Sequence, residues 1–177
     1  MPALHTPVSP RDFHQGNLSA PVQIVHFSDF ECPYSRALSS TVKELQAEEG
    51  ANLLYVFRPF PLTDIHPHAL VAARAAYAAN EQGKFWPMVD VLFDNQNALG
   101  PTFLKTYAGQ IGLDVAAFET SFRGDKHDAQ IEHSIEDAHA SGAHGTPTLF
   151  INGAFHDNDE RMWKIERLRE AVRNAAN

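Results

Sequence analysis

The sequence has one cysteine, no long apolar run and no excess of positive charge. Because Cys32 is the single cysteine among 177 residues, the chain forms no internal disulfide and lacks the paired cysteines that structural zinc sites commonly use. No apolar stretch of roughly 18 residues is present, so the sequence predicts no transmembrane helix. Any covalent chemistry at Cys32 therefore needs a partner molecule from outside the chain.

Acidic residues outnumber basic residues by 22 to 14, which gives a formal net charge of -8 with histidine neutral. A surface of that charge repels phosphate groups, so neither nucleic acid nor a membrane is an expected partner. The first residues show no charged segment followed by an apolar one, so we expect no signal peptide and a cytoplasmic location. The ten histidines lack metal-ligand spacing, so we expect no metal site and no cofactor.

The hydrophobic pattern is mixed at both ends of the chain and helical in the middle. Short runs rich in β-branched and aromatic residues predict four strands, over 22–27, 52–58, 148–151 and 154–156. The last two flank Asn152-Gly153, a dipeptide typical of a tight antiparallel hairpin. Helical spacing predicts a first helix from Pro33 to Gly50, a helical block from His66 to about Gly142 and a closing helix over 159–174.

Apolar spacing also predicts which helix faces are buried. The stripes of the helical block are Leu70, Ala73 and Tyr77; Phe85, Met88, Val89, Leu92 and Phe93; and Phe103, Leu104, Tyr107, Ala108 and Ile111. In the closing helix the inward residues are Ile165, Leu168 and Val172. Asp114 and Asp125 are predicted N-caps of two helices in the block.

Cys32 is predicted to lie at a corner between a strand and a helix. Pro33 suits the first turn of a helix, where its missing N–H costs nothing. Free backbone N–H groups at a helix start favour the thiolate form of a cysteine there, and the thiolate is the nucleophile. A lone cysteine is also often a small buried apolar residue, but its position outside the apolar stripes favours a reactive role.

The segment over 27–35, Phe-Ser-Asp-Phe-Glu-Cys-Pro-Tyr-Ser, resembles the active-site segment of DsbA-like thioredoxin-fold oxidoreductases, which usually read Cys-Pro-Tyr-Cys or Cys-Pro-His-Cys. Further similar fragments occur in order along the chain, at 20–22, 58–62, 66–67, 82–86 and 145–148. The resemblance implies an α/β thioredoxin fold with a helical domain inserted between its β-α-β and β-β-α halves. It places the thioredoxin-fold domain at 1–62 and 143–177, and the inserted helical domain at 63–142.

The resemblance also implies roles for individual residues. Cys32 corresponds to the nucleophile that attacks a substrate disulfide. Pro147 corresponds to a cis-proline facing that cysteine, and Thr146 offers its main chain to a substrate peptide. Pro33 and Tyr34 are expected to contact substrate, with the Tyr34 side chain exposed.

Two residues depart from the family pattern. Ser35 stands where the family has its resolving cysteine, and a hydroxyl cannot attack a mixed disulfide. Its hydroxyl either donates a hydrogen bond to the Cys32 thiolate or merely caps the helix or faces water. His26 stands where related proteins commonly carry a buried acid that accepts the proton of the resolving thiol. His26 and, on the loop before Pro147, His144 are therefore candidate modulators of the thiol.

These residues predict a thiol-disulfide oxidoreductase that works through one cysteine. The mixed disulfide at Cys32 would be resolved by an external thiol such as glutathione, and protein or peptide thiols and disulfides would be its partners. The sequence leaves open whether Ser35 is the encoded residue or a substitution in a dithiol enzyme of the DsbA type. Two other functions are compatible with the fold: a glutathione-binding transferase or isomerase of the kappa-like type, and a redox-silent peptide-binding chaperone.

Overall fold

The computed structural model describes residues 2–156 and 164–176, and in them it contains five strands and seven α-helices. The strands are β1 (Phe13–Gln15), β2 (Val22–Ser28), β3 (Leu53–Pro59), β4 (Thr148–Ile151) and β5 (Ala154–His156). The helices are α1 (Pro33–Glu49), α2 (Ala69–Asn80), α3 (Phe85–Asp94), α4 (Pro101–Gln110), α5 (Val115–Phe122), α6 (Asp128–Ala140) and α7 (Ile165–Ala175). Helices α2 to α6 all stand between β3 and β4, so the predicted α/β order with an inserted helical block is confirmed.

The chain divides into two compact units. The first unit comprises residues 1–28, 34–58 and 136–177, and the second comprises residues 29–33 and 59–135. The domain boundaries predicted from the sequence stay a prediction, because compactness does not test which parts fold independently.

The first unit contains one sheet in the order β1-β3-β2-β4-β5. Strand β2 pairs antiparallel with β4, and β4 pairs antiparallel with β5. The turn of this hairpin has positive φ at both central residues, 48° at Asn152 and 78° at Gly153, which is the conformation that Asn-Gly favours. The predicted hairpin is therefore confirmed with the predicted bounds.

Strand β1 was not expected from the sequence. It has three residues and pairs antiparallel with β3 at the edge of the sheet, with Phe13 opposite Phe57. A strand this short, at an edge and only half-buried, shows too few alternating residues to be recognised by its pattern.

The second unit confirms one predicted buried stripe and corrects two others. All five stripe residues of α3 are buried, whereas in α2 a row of alanines is buried and Leu70 and Tyr77 are only half-buried. In α4 the predicted inward residue Phe103 is 51% exposed, and Ile111 is half-buried. Small alanine side chains allow close helix packing, and a search for large apolar residues overlooks them.

One of the two predicted helix caps is present, and the last helix is shorter than predicted within the described residues. Asp114 accepts a hydrogen bond of 3.0 Å from the N–H of Ala117 and caps α5, as predicted. Asp125 is not a cap, because α6 begins three residues later at Asp128. In α7 two of the three predicted inward residues are buried and Ile165 is half-buried; the predicted helical residues 159–163 lie outside the described residues. No helix in the described chain has both the length and the hydropathy needed to cross a membrane.

Candidate active site

Cys32 lies at the predicted strand-to-helix corner. Strand β2 ends at Ser28 and α1 begins at Pro33, so a four-residue turn carries the cysteine. Its backbone N–H donates a hydrogen bond of 3.1 Å to the carbonyl of Asp29, which closes the turn. The residue is buried, with only 4% of its surface exposed.

Asp29 is a buried carboxylate that holds this turn. Its Oδ1 accepts a hydrogen bond of 2.8 Å from the N–H of Glu31, and its Oδ2 accepts one of 2.7 Å from the N–H of Leu62. The same Oδ2 lies 2.9 Å from Nδ1 of His66. Both oxygens of this 1% exposed carboxylate are thus satisfied, as burial of a charged group requires.

Glu31 forms a second tie between the turn and the segment before α2. One carboxylate oxygen accepts a hydrogen bond of 2.6 Å from the N–H of His68, and the other lies 3.1 Å from Nδ1 of the same residue. The pairs Asp29–His66 and Glu31–His68 were not predicted. A signal was present, since two acids and two histidines have the same i, i+2 spacing in two segments.

Gln96, which follows α3, contacts the same turn and was also not predicted. Its Nε2 donates hydrogen bonds of 2.7 Å to the carbonyl of Phe30 and 2.9 Å to the carbonyl of Cys32. The ring of Phe30 packs against that of Phe93 with the centroids 5.3 Å apart. No sequence pattern identifies such a contact, because it joins positions more than 60 residues apart.

The three residues after Cys32 form the first turn of α1. Pro33 is exposed, and Tyr34 is 51% exposed, so the predicted exposure of the tyrosine is confirmed. Ser35 is fully buried, so the interpretation in which its hydroxyl faces water is wrong. A hydrogen bond from Ser35 to the cysteine stays a prediction.

The loop before β4 contains the other predicted site residues. The peptide bond between Thr146 and Pro147 is cis, Pro147 is buried, and His144 is exposed. The hydroxyl of Thr148 donates a hydrogen bond of 2.8 Å to the carbonyl of Gly145, which closes the loop. The roles of Thr146, Pro147 and His144 toward a substrate stay predictions.

His26 is enclosed in the centre of β2. Its Nδ1 lies 2.9 Å from the hydroxyl of Tyr55, its ring contacts the rings of Tyr55 and Phe57, and its Nε2 has no hydrogen-bond partner among the described residues. Burial disfavours the charged imidazolium and lowers the pKa of His26 to about 3. At neutral pH this residue is therefore an uncharged imidazole and a very weak proton acceptor.

Burial of His26 predicts a loss of stability in mild acid. Below its ordinary pKa of 6.5 the unfolded chain binds a proton at this residue, whereas the native protein stays neutral until about pH 3. Stability therefore falls as the pH drops through this window, by about 2 kcal/mol between pH 7 and pH 5. We expect the His26→Phe variant to lose this part of the pH dependence in urea unfolding measured at several pH values.

A Tyr55→Phe variant is the control for this measurement. It removes the hydroxyl but leaves His26 buried, so it should keep the wild-type pH dependence. Equal pH dependence in the His26→Phe variant and the wild type would show that the native protein does protonate His26 in mild acid.

The described residues, 2–156 and 164–176, contain no group of three or more His, Cys, Asp or Glu side chains arranged to hold a metal ion. The carboxylates and imidazoles near Cys32 are instead paired with one another and with backbone N–H groups. These pairs connect the turn that carries Cys32 to the segment before α2.

Parts of longer curated proteins are similar to this chain in sequence. A protein of Salinispora arenicola named Na(+)/H(+) antiporter NhaA 1 is 41% identical to this chain over 173 residues, which make up 97% of this chain and 26% of that protein. The chain thus spans about a quarter of the length of the curated relatives it matches.

Two solved structures are similar over nearly the whole chain. A thioredoxin-like oxidoreductase from Silicibacter pomeroyi has a TM-score of 0.75 and 27% identity, and the match covers 94% of this chain and 93% of that chain. The thiol-disulfide exchange protein α-DsbA2 from Wolbachia pipientis has a TM-score of 0.74 and 21% identity, with 93% and 87% covered. A family model described as thioredoxin matches residues 8–172. The predicted thioredoxin fold is therefore confirmed, and the chain belongs to the thioredoxin family, with the inserted helices of its DsbA-like members.

Proposed function

We propose that the protein is a thiol-disulfide oxidoreductase that works through one cysteine. The observation that carries the proposal is the position of Cys32, the single cysteine of the chain, directly before the first residue of α1 in a thioredoxin fold. Ser35 occupies the position one turn later, so no second thiol is available within the site. The names of the two similar structures, an oxidoreductase and a thiol-disulfide exchange protein, support the same chemistry.

The proposed reaction removes glutathione from a glutathionylated substrate. The Cys32 thiolate attacks the sulfur of the bound glutathione, so that a bond forms between Sγ and that sulfur while the substrate S–S bond breaks. The substrate leaves as a thiolate and takes a proton from water. A second glutathione thiolate then attacks the mixed disulfide, which returns Cys32 to its thiolate and releases oxidised glutathione. Each turnover thus consumes one free glutathione, and the disulfide bond passes from the substrate to oxidised glutathione.

Geometry around the turn supports a reactive cysteine. The start of α1 presents backbone N–H groups whose partial positive charge favours a thiolate. Thr146 and the cis-proline Pro147 supply the loop on which we propose that an extended substrate segment pairs with the main chain. We also propose that the reaction takes place in the cytoplasm, where glutathione is kept mostly reduced. The antiporter name belongs to the longer relatives, and we assign no ion transport to this chain.

Mass spectrometry of the folded protein tests this function. After treatment with oxidised glutathione, we expect the wild type to carry one glutathione and to lose it again in excess reduced glutathione. The Cys32→Ser variant should carry none, since the adduct needs the thiolate. A single small disulfide reagent is used because Cys32 is only 4% exposed.

Three outcomes would contradict the proposal in different ways. No adduct on the native wild type would exclude exchange at Cys32. Conjugation of a chloro-aromatic electrophile that survives Cys32→Ser would favour a kappa-like transferase. Peptide binding that is unchanged after alkylation of Cys32, with no reduction of a glutathionylated peptide, would favour a redox-silent chaperone.

A further inference from the structure

The turn that carries Cys32 is held by residues of the second compact unit. That unit contains residues 29–33 together with the helical residues 59–135, whereas α1 from Tyr34 onward belongs to the first unit. In the turn, the backbone N–H groups of Glu31 and Cys32 both donate hydrogen bonds to Asp29. The carboxylate of Glu31 in turn accepts a hydrogen bond from the N–H of His68. Each of these contacts fixes a donor or a side chain of the turn.

Gln96 adds a different kind of contact, because it binds carbonyl groups. The carbonyl of Phe30 belongs to the peptide plane before Glu31, and the carbonyl of Cys32 belongs to the plane before Pro33. One side-chain nitrogen donates to both, at 2.7 Å and 2.9 Å. Both peptide planes are thereby fixed, and Glu31 and Cys32 lie between them. The plane after Cys32 is held by Gln96, and the plane before it is held by the hydrogen bond from the Cys32 N–H to the Asp29 carbonyl. Since the direction of a Cα–Cβ bond follows from the planes on either side, the two contacts together orient the cysteine side chain.

We propose that Gln96 is a positioning residue for thiol exchange at Cys32. This inference rests on the proposed function and assigns a role in it to a residue that follows α3. Gln96 acts on the backbone that carries the sulfur, through its bonds to the carbonyls of Phe30 and Cys32. By fixing the peptide plane between Cys32 and Pro33, the first residue of α1, it keeps the thiolate at the helix start, where backbone N–H groups stabilise it.

Two readouts with opposite signs follow from this role. If the turn loosens, the thiolate loses stabilisation, so its attack on a disulfide slows at neutral pH. The same loss raises the free energy of the reduced protein relative to the mixed disulfide, so the equilibrium shifts toward the glutathione adduct. Replacement of a residue that only stabilises the fold would lower the free energy of unfolding and leave both the rate and the equilibrium unchanged.

The test compares Gln96→Met with Gln82→Met. Methionine has a similar length but no N–H, and Gln82 is a matched control because its amide also bonds a backbone, donating to the Asp114 carbonyl at 3.1 Å and accepting its N–H at 2.8 Å. For Gln96→Met we expect the rate with an aromatic disulfide to fall about tenfold and the adduct equilibrium constant to rise about as much. For Gln82→Met both values should stay within about twofold of wild type.

A shorter amide gives the second variant. Gln96→Asn keeps the polar group but lacks the reach to span both carbonyls, so it should move both readouts in the same directions even if Gln96→Met folds poorly. Unchanged rate and equilibrium in a folded Gln96 variant would overturn the positioning role while wild-type exchange still supported the proposed function. Absence of a wild-type adduct would overturn the proposed function, and the positioning role would fall with it.

Discussion

The Ser35→Cys variant is expected to form an internal disulfide with Cys32 and to release bound glutathione without an external thiol. Side chains three residues apart in a helix lie on the same face with Cβ atoms roughly 5–6 Å apart, so the first turn has to tighten by roughly 1 Å to reach the Cβ spacing of a disulfide. A thiol at this position attacks the mixed disulfide within one molecule, so its effective concentration is very high. We expect glutathione release to become at least about 100-fold faster than in the wild type at the same low free thiol concentration.

Ser39→Cys is the matched control for this gain. Ser39 is a serine of the same helix and is also buried, at 2% exposure against 0% for Ser35. At a rise of about 1.5 Å per residue, the seven positions from Cys32 to Ser39 place the two Cα atoms roughly 10 Å apart, beyond disulfide range. The variant should therefore keep the slow release that depends on external thiol. Release is followed by mass spectrometry after the free glutathione has been removed.

Two results would contradict the expectation for Ser35→Cys. If the variant kept its glutathione as long as the wild type, position 35 would not be within reach of the mixed disulfide. If Ser39→Cys gained the same fast release, the effect would come from an added thiol in general and not from its place one turn after Cys32. In both cases the missing resolving thiol would not explain the slow step.

His26 fits a site without a resolving thiol. The resemblance implies an acid at this position that accepts a proton from the second cysteine. An imidazole whose pKa burial lowers to about 3 is a poor proton acceptor at neutral pH. Ser35 and His26 together are therefore consistent with exchange through one thiol, in which no proton from a second cysteine has to be removed.

Local signals in the sequence predicted the parts of the fold that depend on neighbouring residues. The Asn152-Gly153 hairpin, the cap at Asp114 and the start of α1 at Pro33 all depend on residues within a few positions of one another. The position of Cys32 followed from the same kind of signal, because a strand, a turn and a proline fix it. A reactive residue between a strand and a helix start can therefore be located from the sequence.

Contacts between distant segments were not predictable. Nothing in the local pattern at Gln96 shows that its amide reaches the Cys32 carbonyl, and a histidine beside Pro67 is indistinguishable from a turn residue until its partner Asp29 is known. Phe103 shows the reverse error, since an aromatic residue at helical spacing is exposed in α4. Side-chain pairing across the chain depends on tertiary packing, which hydrophobic periodicity does not encode.

Of all the substitutions proposed, Arg58→Met is expected to lower the free energy of unfolding the most. Arg58, at the end of β3, is 6% exposed; its Nε lies 2.8 Å from Asp12, and its Nη1 lies 2.8 Å from Asp137. It also donates hydrogen bonds to the carbonyls of Thr6 and Pro7, so it ties the N-terminal segment and α6 to the sheet. Methionine leaves the buried carboxylate of Asp137 and the partly buried carboxylate of Asp12 without the guanidinium, which costs about 3–5 kcal/mol.

Arg169→Met gives the same substitution at an exposed ion pair. Arg169 binds Glu48 through two hydrogen bonds of 2.8 Å and 2.7 Å, but its side chain is 25% exposed and that of Glu48 is 36% exposed. Water screens such a pair, so the free energy of unfolding should fall far less than in Arg58→Met. Addition of Asp12→Asn and Asp137→Asn to Arg58→Met should recover part of the loss, because the uncompensated charges are then gone. Equal losses in the two arginine variants, measured by urea unfolding at pH 7, would show that burial does not decide the contribution of Arg58.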